Sequence, residues 1–154
     1  MDLSDLITQD KADSGGWFPV ELYGKKQDFD LLILGDDSDA VQKHNRKAMK
    51  KLKGVMSKAK GGDIEFDDET IDEIADSNDE AVIARIAGIR GWKVERKGSK
   101  EIRRDPEPVT LNGVELASDA ASYKLLIQKI PALKEFVLKI ARDRTNFLSK
   151  PSGN

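Results

Sequence analysis

The sequence contains no cysteine and only one histidine among its 154 residues. Without cysteine the chain forms no disulfide, has no thiolate metal site and offers no thiol nucleophile, which is typical of a protein in a reducing cytosol. The sequence also has no run of about 20 apolar residues, the length that a membrane-spanning helix needs. Residues 1–5 are acidic and lack the apolar core of a secretory signal. We therefore expect a cytoplasmic protein that does not associate with membranes.

The residues that usually carry out catalysis are sparse. A catalytic histidine needs a group that orients it and a nucleophile to activate. The single histidine, His44, is adjacent to Lys43 and Asn45 and has no neighbouring carboxylate, so we expect it to face solvent. The glycine patterns of phosphate-binding and dinucleotide-binding loops are missing, and the acidic runs at 36–39 and 67–69 lack the spacing of a calcium loop. The sequence therefore predicts no catalytic residue, no cofactor and no metal, that is, a non-enzymatic protein.

Charged residues make up 35% of the chain and hydrophobic residues 38%. The charged fraction is well above the usual quarter or so, which favours a thin helical body with a large solvated surface. The net charge is only −2, so the chain as a whole shows no bias toward nucleic acid or membrane.

The charges are segregated along the chain. Nearly every charge in residues 43–60 is positive, and every charge in residues 63–80 is negative. A basic stripe is one signature of nucleic-acid binding, but the adjacent acidic block would repel phosphate and no aromatic residue is interleaved for base stacking. The alternative is a pair of helices that attract each other, or that attract other copies of the chain. Such segregation suits electrostatic steering between proteins.

Local patterns predict an α+β fold that is mostly α-helical, with an N-terminal β-hairpin packed on a helical bundle. Residues 1–16 are predicted to be a flexible arm, and residues 17–148 a single domain. Within that domain, the hairpin spans 17–35, with a turn at 24–28, and the helical body spans 38–148. Residues 149–154 form a flexible tail.

The helical body is predicted from apolar spacing and from breakers. One helix covers 40–59 and ends at Gly61-Gly62, and residues 64–66 form a short strand or a link. Helical runs follow from 67 and over 81–89, with an interruption near 77–79, and 95–108 is a surface loop. A tight hairpin around Asn112-Gly113 and a helix capped by Ser118-Asp119 come next. Pro131 begins the last helix.

Several short segments of the C-terminal half carry a resemblance to a known family. An apolar helix is expected to end in Gly91-Trp92-Lys93-Val94, and residues 108–116 place a polar turn before the capped helix. Ile130-Pro131-Ala132-Leu133 joins two helices, and the closing helix ends near Asn146-Phe147-Leu148. This order resembles the tail assembly chaperones of long-tailed, siphovirus-type bacteriophages, as does Gly16-Trp17-Phe18 near the N-terminus. The similarity extends from about residue 17 to residue 148, and the basic helix 41–60 matches least well.

The resemblance implies a protein that coats the tape measure protein and keeps it from aggregating. It also implies recruitment of major tail protein during growth of the tail tube, followed by release, so that the chain acts in the host cytoplasm and is absent from the mature virion. In this family a longer form often arises by translational frameshifting.

Two sets of residues are predicted to bind other proteins. One is the stripe of the last helix, and the other lies on the basic helix, where self-association is a second expectation. Two other classes remain open: a structural virion protein, such as a tail tube, terminator or connector subunit, and a nucleic-acid binder that uses the basic helix. The predicted protein-binding residues are Leu133, Phe136, Val137, Ile140, Phe147, Lys47, Lys50 and Lys51.

Overall fold

The structure is a computed structural model that describes residues 2–58 and 68–148 of the chain. Within these residues, four strands form one antiparallel sheet in the order β1-β2-β3-β4, and two short strands form a separate hairpin. Short 3₁₀ helices lie at Ser4–Leu6 and Arg144–Phe147. The described helices and strands, in chain order, are α1 (Gln9–Ser14), β1 (Gly16–Leu22), β2 (Lys25–Ile33), α2 (Asp39–Lys58), α3 (Asp68–Ile83), β3 (Ile86–Lys97), β4 (Lys100–Glu107), β5 (Thr110–Leu111), β6 (Val114–Glu115), α4 (Ala120–Lys129) and α5 (Ala132–Arg142).

The predicted fold class, a mostly helical protein with an N-terminal hairpin on a helical bundle, is wrong. The fold is α+β with 47% helix and 31% strand, and its central element is the four-stranded antiparallel sheet. The hairpin predicted over 17–35 does form, as β1 and β2. It is half of a larger sheet, because β3 pairs with β2 and β4 pairs with β3.

The helix predicted over 81–89 forms only as far as the end of α3 at Ile83, because β3 begins at Ile86. Strands β3 and β4 also replace most of the surface loop predicted over 95–108. Several of the charges that suggest a loop face opposite charges on the neighbouring strand, and Arg96 of β3 lies 3.9 Å from Glu101 of β4. Lys93 lies opposite Asp105, and Glu95 lies opposite Arg103. Opposite charges in directly facing positions stabilise an antiparallel pair. This highly charged segment therefore forms a long exposed hairpin instead of a loop.

The helices cover one face of the sheet. Val20 of β1 and Leu31 and Ile33 of β2 are fully buried against Leu133 and Val137 of α5. These strand residues alternate with more exposed ones, as expected for a sheet with one covered face. Helix α4 adds further apolar side chains to the same core, namely Tyr123, Leu126 and Ile127.

Residues 1–16, for which the sequence predicts a flexible arm, contain α1. The Ala12 side chain is buried against the chain near Gly35. Three polar contacts connect this segment to the start of α2. Thr8 donates its hydroxyl to Asp37 at 2.6 Å, Gln9 donates its amide to Asp39 at 3.0 Å, and Asp13 accepts the Asp39 backbone N–H at 2.7 Å.

Other local predictions have mixed outcomes. Strands β5 and β6 flank Asn112-Gly113 as predicted, and Asp119 caps α4 by accepting the Ser122 N–H at 2.8 Å. Helix α3 runs through residues 77–79 without the predicted interruption. The predicted stop at Gly61-Gly62, the strand or link at 64–66 and the tail at 149–154 lie outside the described residues.

Candidate protein-binding surfaces

The predicted binding stripe of the last helix is divided between the core and the surface. Leu133 and Val137 are fully buried, and Phe147, which follows α5 in the 3₁₀ helix, is buried as well. These three residues stabilise the monomer. Phe136 and Ile140 are only half-buried, so they are the members of the stripe that a partner can reach.

Phe136 and Ile140 line an open groove between α5 and the turn that joins β1 to β2. The strand side of this groove is formed by Leu22 and Tyr23. Two charged residues of α5, Glu135 and Lys139, also line it. The groove is thus an apolar surface with an aromatic residue on each side and charged groups beside it, the composition common in protein interfaces.

Tyr23 is 81% exposed, although it is one of the largest aromatic side chains of the protein. It lies at the tip of the β1–β2 hairpin, where both turn residues have left-handed backbone angles, with φ of 55° at Tyr23 and 72° at Gly24. Two such residues make a type I′ turn, which normally has Asn, Asp or Gly at its first position. A tyrosine in this conformation is strained, and strain of this kind is often retained at functional positions.

Helix α2 presents the second predicted set. Lys47, Lys50 and Lys51 are all exposed. The helix is anchored at its N-terminal end, where Val41 is buried and donates its backbone N–H to Ser38 Oγ at 3.3 Å. Farther along, Met49 is 55% exposed between the basic residues. An exposed apolar side chain among lysines gives this helix a mixed apolar and basic surface.

His44 lies on α2 and is half-buried, so the expectation of a solvent-facing histidine is only partly met. Burial lowers the pKa of His44, because desolvation disfavours the charged imidazolium. The nearby Glu80 opposes this shift, whereas Arg85, Lys51 and Lys47 reinforce it. The influence of Glu80 places the first half of α2 near the end of α3.

Helix α3 carries the part of the acidic block that the structure describes. Asp72, Asp76 and Glu80 are exposed, and Ile74 is 46% exposed between them. Asp79 is buried and forms an ion pair with Lys134 of α5, with 2.6 Å between Lys134 Nζ and Asp79 Oδ1.

The face of the sheet opposite the helices carries a cluster that the sequence reasoning missed. Asp30 is only 2% exposed, although it lies on this open face. Its carboxylate accepts hydrogen bonds from Arg90 Nε and Trp92 Nε1, each at 2.9 Å, and from an Arg104 terminal nitrogen at 3.3 Å. The Arg90 guanidinium lies 4.2 Å from the centre of the Trp17 ring, and that of Arg104 lies 4.7 Å from the Trp92 ring.

These contacts change the ionisation of Asp30. Burial alone would raise the pKa of the carboxyl, but the hydrogen bonds from Trp92 and Arg90 and the charge of Arg104 outweigh it and hold the pKa below its usual value. The period-two alternation of β2 would have placed Asp30 on the face opposite Phe29 and Leu31. The partners could not be found because β3 and β4 were not predicted as strands.

Within residues 2–58 and 68–148, no group of acidic and histidine side chains has the arrangement of a metal site. No helix in the same described part of the chain is long and apolar enough to cross a membrane. Comparisons of the sequence with family models and curated proteins, and of the fold with solved structures, found no match.

Proposed function

We propose that the chain is a non-catalytic tail assembly chaperone of a long-tailed bacteriophage. In this proposal it binds the tape measure protein in the host cytoplasm, recruits major tail protein to the growing tube and leaves before the virion is complete. The sequence resemblance suggests the role. The observation that carries it is the groove in which Phe136 and Ile140 of α5 face the exposed Tyr23.

The groove suits a helical partner. An amphipathic helix binds other proteins by placing its apolar face in a hydrophobic groove. Aromatic side chains contribute disproportionately to such interfaces, and Phe136 and Tyr23 supply one from each side of the groove. A tape measure protein offers a long helical target of this kind, on which one chaperone could bind after another.

A modest affinity of each groove for the tape measure protein also fits a chaperone that must dissociate before the virion is complete. A single shallow groove buries little surface, so each contact is readily reversible. Many copies along one long partner would still cover it, because neighbouring copies that touch each other bind more tightly than isolated ones. The accessible aromatic side chains therefore support a reversible coat.

The test is co-expression with the tape measure protein of the same phage, followed by affinity capture and sizing of the complex. Tape measure protein that is insoluble alone should become soluble in a complex with many copies of the chain. Tyr23→Asn and Phe136→Ala should each reduce the captured tape measure protein by about fivefold or more, the effect expected for a hot-spot side chain. The control is Ile102→Ser, which truncates another exposed apolar side chain, on β4.

Two results would contradict the proposal. If the chain does not associate with tape measure protein, the assembly-chaperone role fails, and detection of the chain in purified virions by mass spectrometry would identify a structural virion protein instead. If Tyr23→Asn and Phe136→Ala bind tape measure protein as well as the wild type does, the chain binds it through another surface and the groove is not the binding site.

A further inference from the structure

The exposed face of α2 carries an excess of one charge. Residues 43–53 contain six basic residues and no acidic one. Arg46 and Lys50 lie one helical turn apart and, together with Met49 and Lys53, line a shallow open surface. We call Arg46, Met49, Lys50 and Lys53 the basic face. Like charges spaced by four residues repel each other on a helix, so an acidic partner on this face would relieve the repulsion.

The exposed face of α3 carries the opposite charge. Asp72 and Asp76 are also one turn apart, and both are exposed. We call Asp72 and Asp76 the acidic face. Ile74 lies two residues from each of them, on the other side of the helix, and is not part of this face. Asp79 lies nearly one turn beyond Asp76 and is buried in an ion pair with Lys134 of the same chain.

The two faces do not neutralise each other within one copy. Among the side chains that the structure describes, no residue of the basic face lies within ion-pair distance of an acidic one. Met49 of the basic face also remains about half exposed. Each copy therefore presents two surfaces of complementary charge, one of which carries a solvent-exposed apolar side chain.

We infer that the basic face of α2 in one copy of the chain binds the acidic face of α3 in a second copy. The spacing matches, because Arg46 and Lys50 are separated by the same four residues as Asp72 and Asp76, a rise of about 6 Å along each helix. The contact would cover Met49 along with the charges. The partner is a second copy because the chain itself supplies both surfaces in equal number, and its net charge of −2 leaves little overall repulsion between copies.

This inference goes beyond the proposed function, since the contact needs no tape measure protein. The two are tested separately. Self-association is measured with the chain alone by light scattering after size exclusion and by sedimentation velocity, over a range of protein and salt concentrations. We expect association that strengthens with protein concentration and weakens between 0.05 and 0.5 M salt, on the order of tenfold, as exposed charge pairs are screened.

Complementary charge reversals identify the contact. One variant carries Arg46→Glu and Lys50→Glu, and the other carries Asp72→Lys and Asp76→Lys. Each alone should associate at least tenfold more weakly than the wild type, whereas an equimolar mixture should regain association, with both tagged variants in one complex. Rescue on mixing also shows that each variant is folded. The control is Lys97→Glu with Lys100→Glu, at the exposed β3–β4 turn, which should leave self-association unchanged.

A wild-type chain that stays monomeric at low salt and high concentration would overturn the inference. So would a mixture of the two variants that remains monomeric, or a control variant that weakens association as much as the α2 variant. If the wild type is monomeric and instead shifts DNA mobility in a way that Arg46→Glu and Lys50→Glu abolish, the basic face binds nucleic acid.

Discussion

The indole N–H of Trp92 on β3 donates a 2.9 Å hydrogen bond to the buried carboxylate of Asp30 on β2. Asp30 faces the open side of the sheet, where a buried charge would be unstable without partners. The Trp92 ring, with the Arg90 and Arg104 side chains, both shields the carboxylate from water and supplies its donors. This cluster joins β2, β3 and β4, so it stabilises the face that the helices leave uncovered.

Replacing Asp30 should therefore destabilise the fold. Asp30→Asn removes the charge and leaves Arg90 and Arg104 facing a neutral amide. We expect a loss of about 2 kcal/mol or more at pH 7, because removing one member of a buried ion pair leaves the other uncompensated. Urea unfolding measures it. The control is Asp28→Asn on the same strand, where the exposed ion pair with Arg96 is screened by solvent and should contribute much less.

The same carboxylate predicts a pH dependence. The folded state holds the pKa of Asp30 below the usual value of about 3.9, so it favours the charged form more than the unfolded chain does. The resulting stabilisation is complete above about pH 4 to 5 and is lost as pH falls through the lowered pKa. The stability difference between wild type and Asp30→Asn should shrink over that acid range. A difference that stays constant from pH 7 to pH 2.5 would contradict the assignment.

Two glycines should respond in opposite directions to the same substitution. A Cβ at Gly91 would lie 2.5 Å from the Glu107 backbone oxygen and 2.8 Å from Val109 Cγ2, so Gly91→Ala should destabilise the protein by about 1–3 kcal/mol. A Cβ at Gly54 in α2 would meet nothing within 4 Å, so Gly54→Ala should stabilise by roughly 0.5–1 kcal/mol. Thermal unfolding measures the stability of both variants. If both variants are stabilised, or both are destabilised, the prediction is wrong.

The sequence predicted the elements whose signals are local. Asn112-Gly113 specifies a tight turn whatever surrounds it, and Asp119 caps α4 through its own neighbour Ser122. The β3–β4 hairpin was missed because some of its charged residues have their partners on other strands, as Arg104 has with Asp30 of β2, which is distant in sequence. In one strand alone, those charges cannot be distinguished from a solvated loop.

The candidate site was predictable only in part, for a related reason. Helical spacing placed Leu133, Phe136, Val137 and Ile140 on one side of the last helix. Which of them pack inward depends on the sheet that α5 contacts, and that sheet was predicted only as far as its first hairpin. Tyr23 was predicted within a strand, so its exposed position at the turn was not foreseen.

His44 provides a second titration, and it is simple to observe because the chain has one histidine. Burial lowers the pKa of His44, opposed by Glu80 and reinforced by Arg85, Lys51 and Lys47. A proton NMR titration of the imidazole should therefore give a pKa below the usual value of about 6.5. Since the folded state favours neutral imidazole, this contribution is complete above pH 6.5 and declines as pH falls through the lowered pKa.

The same titration has a matched stability test. His44→Gln has no imidazole to protonate, so its stability relative to wild type should rise as pH falls from about 7 toward 5. Urea unfolding at several pH values measures the difference. A histidine pKa above 6.5 would show that Glu80 dominates over burial, and the relative stability of the two proteins would then change in the opposite direction.

Substitution of Tyr23 should affect the stability of the fold and the binding of tape measure protein in opposite directions. Its left-handed φ of 55° costs a non-glycine residue about 1 kcal/mol, and Asn-Gly is a preferred sequence for a type I′ turn. Tyr23→Asn should therefore stabilise the fold by about 0.5–1 kcal/mol in urea unfolding, while it reduces capture of tape measure protein. Tyr23→Phe keeps both the strain and the ring, so it should change neither quantity. A destabilised Tyr23→Asn would mean that the ring packs productively in the monomer, and retained capture would mean that the partner does not contact this turn.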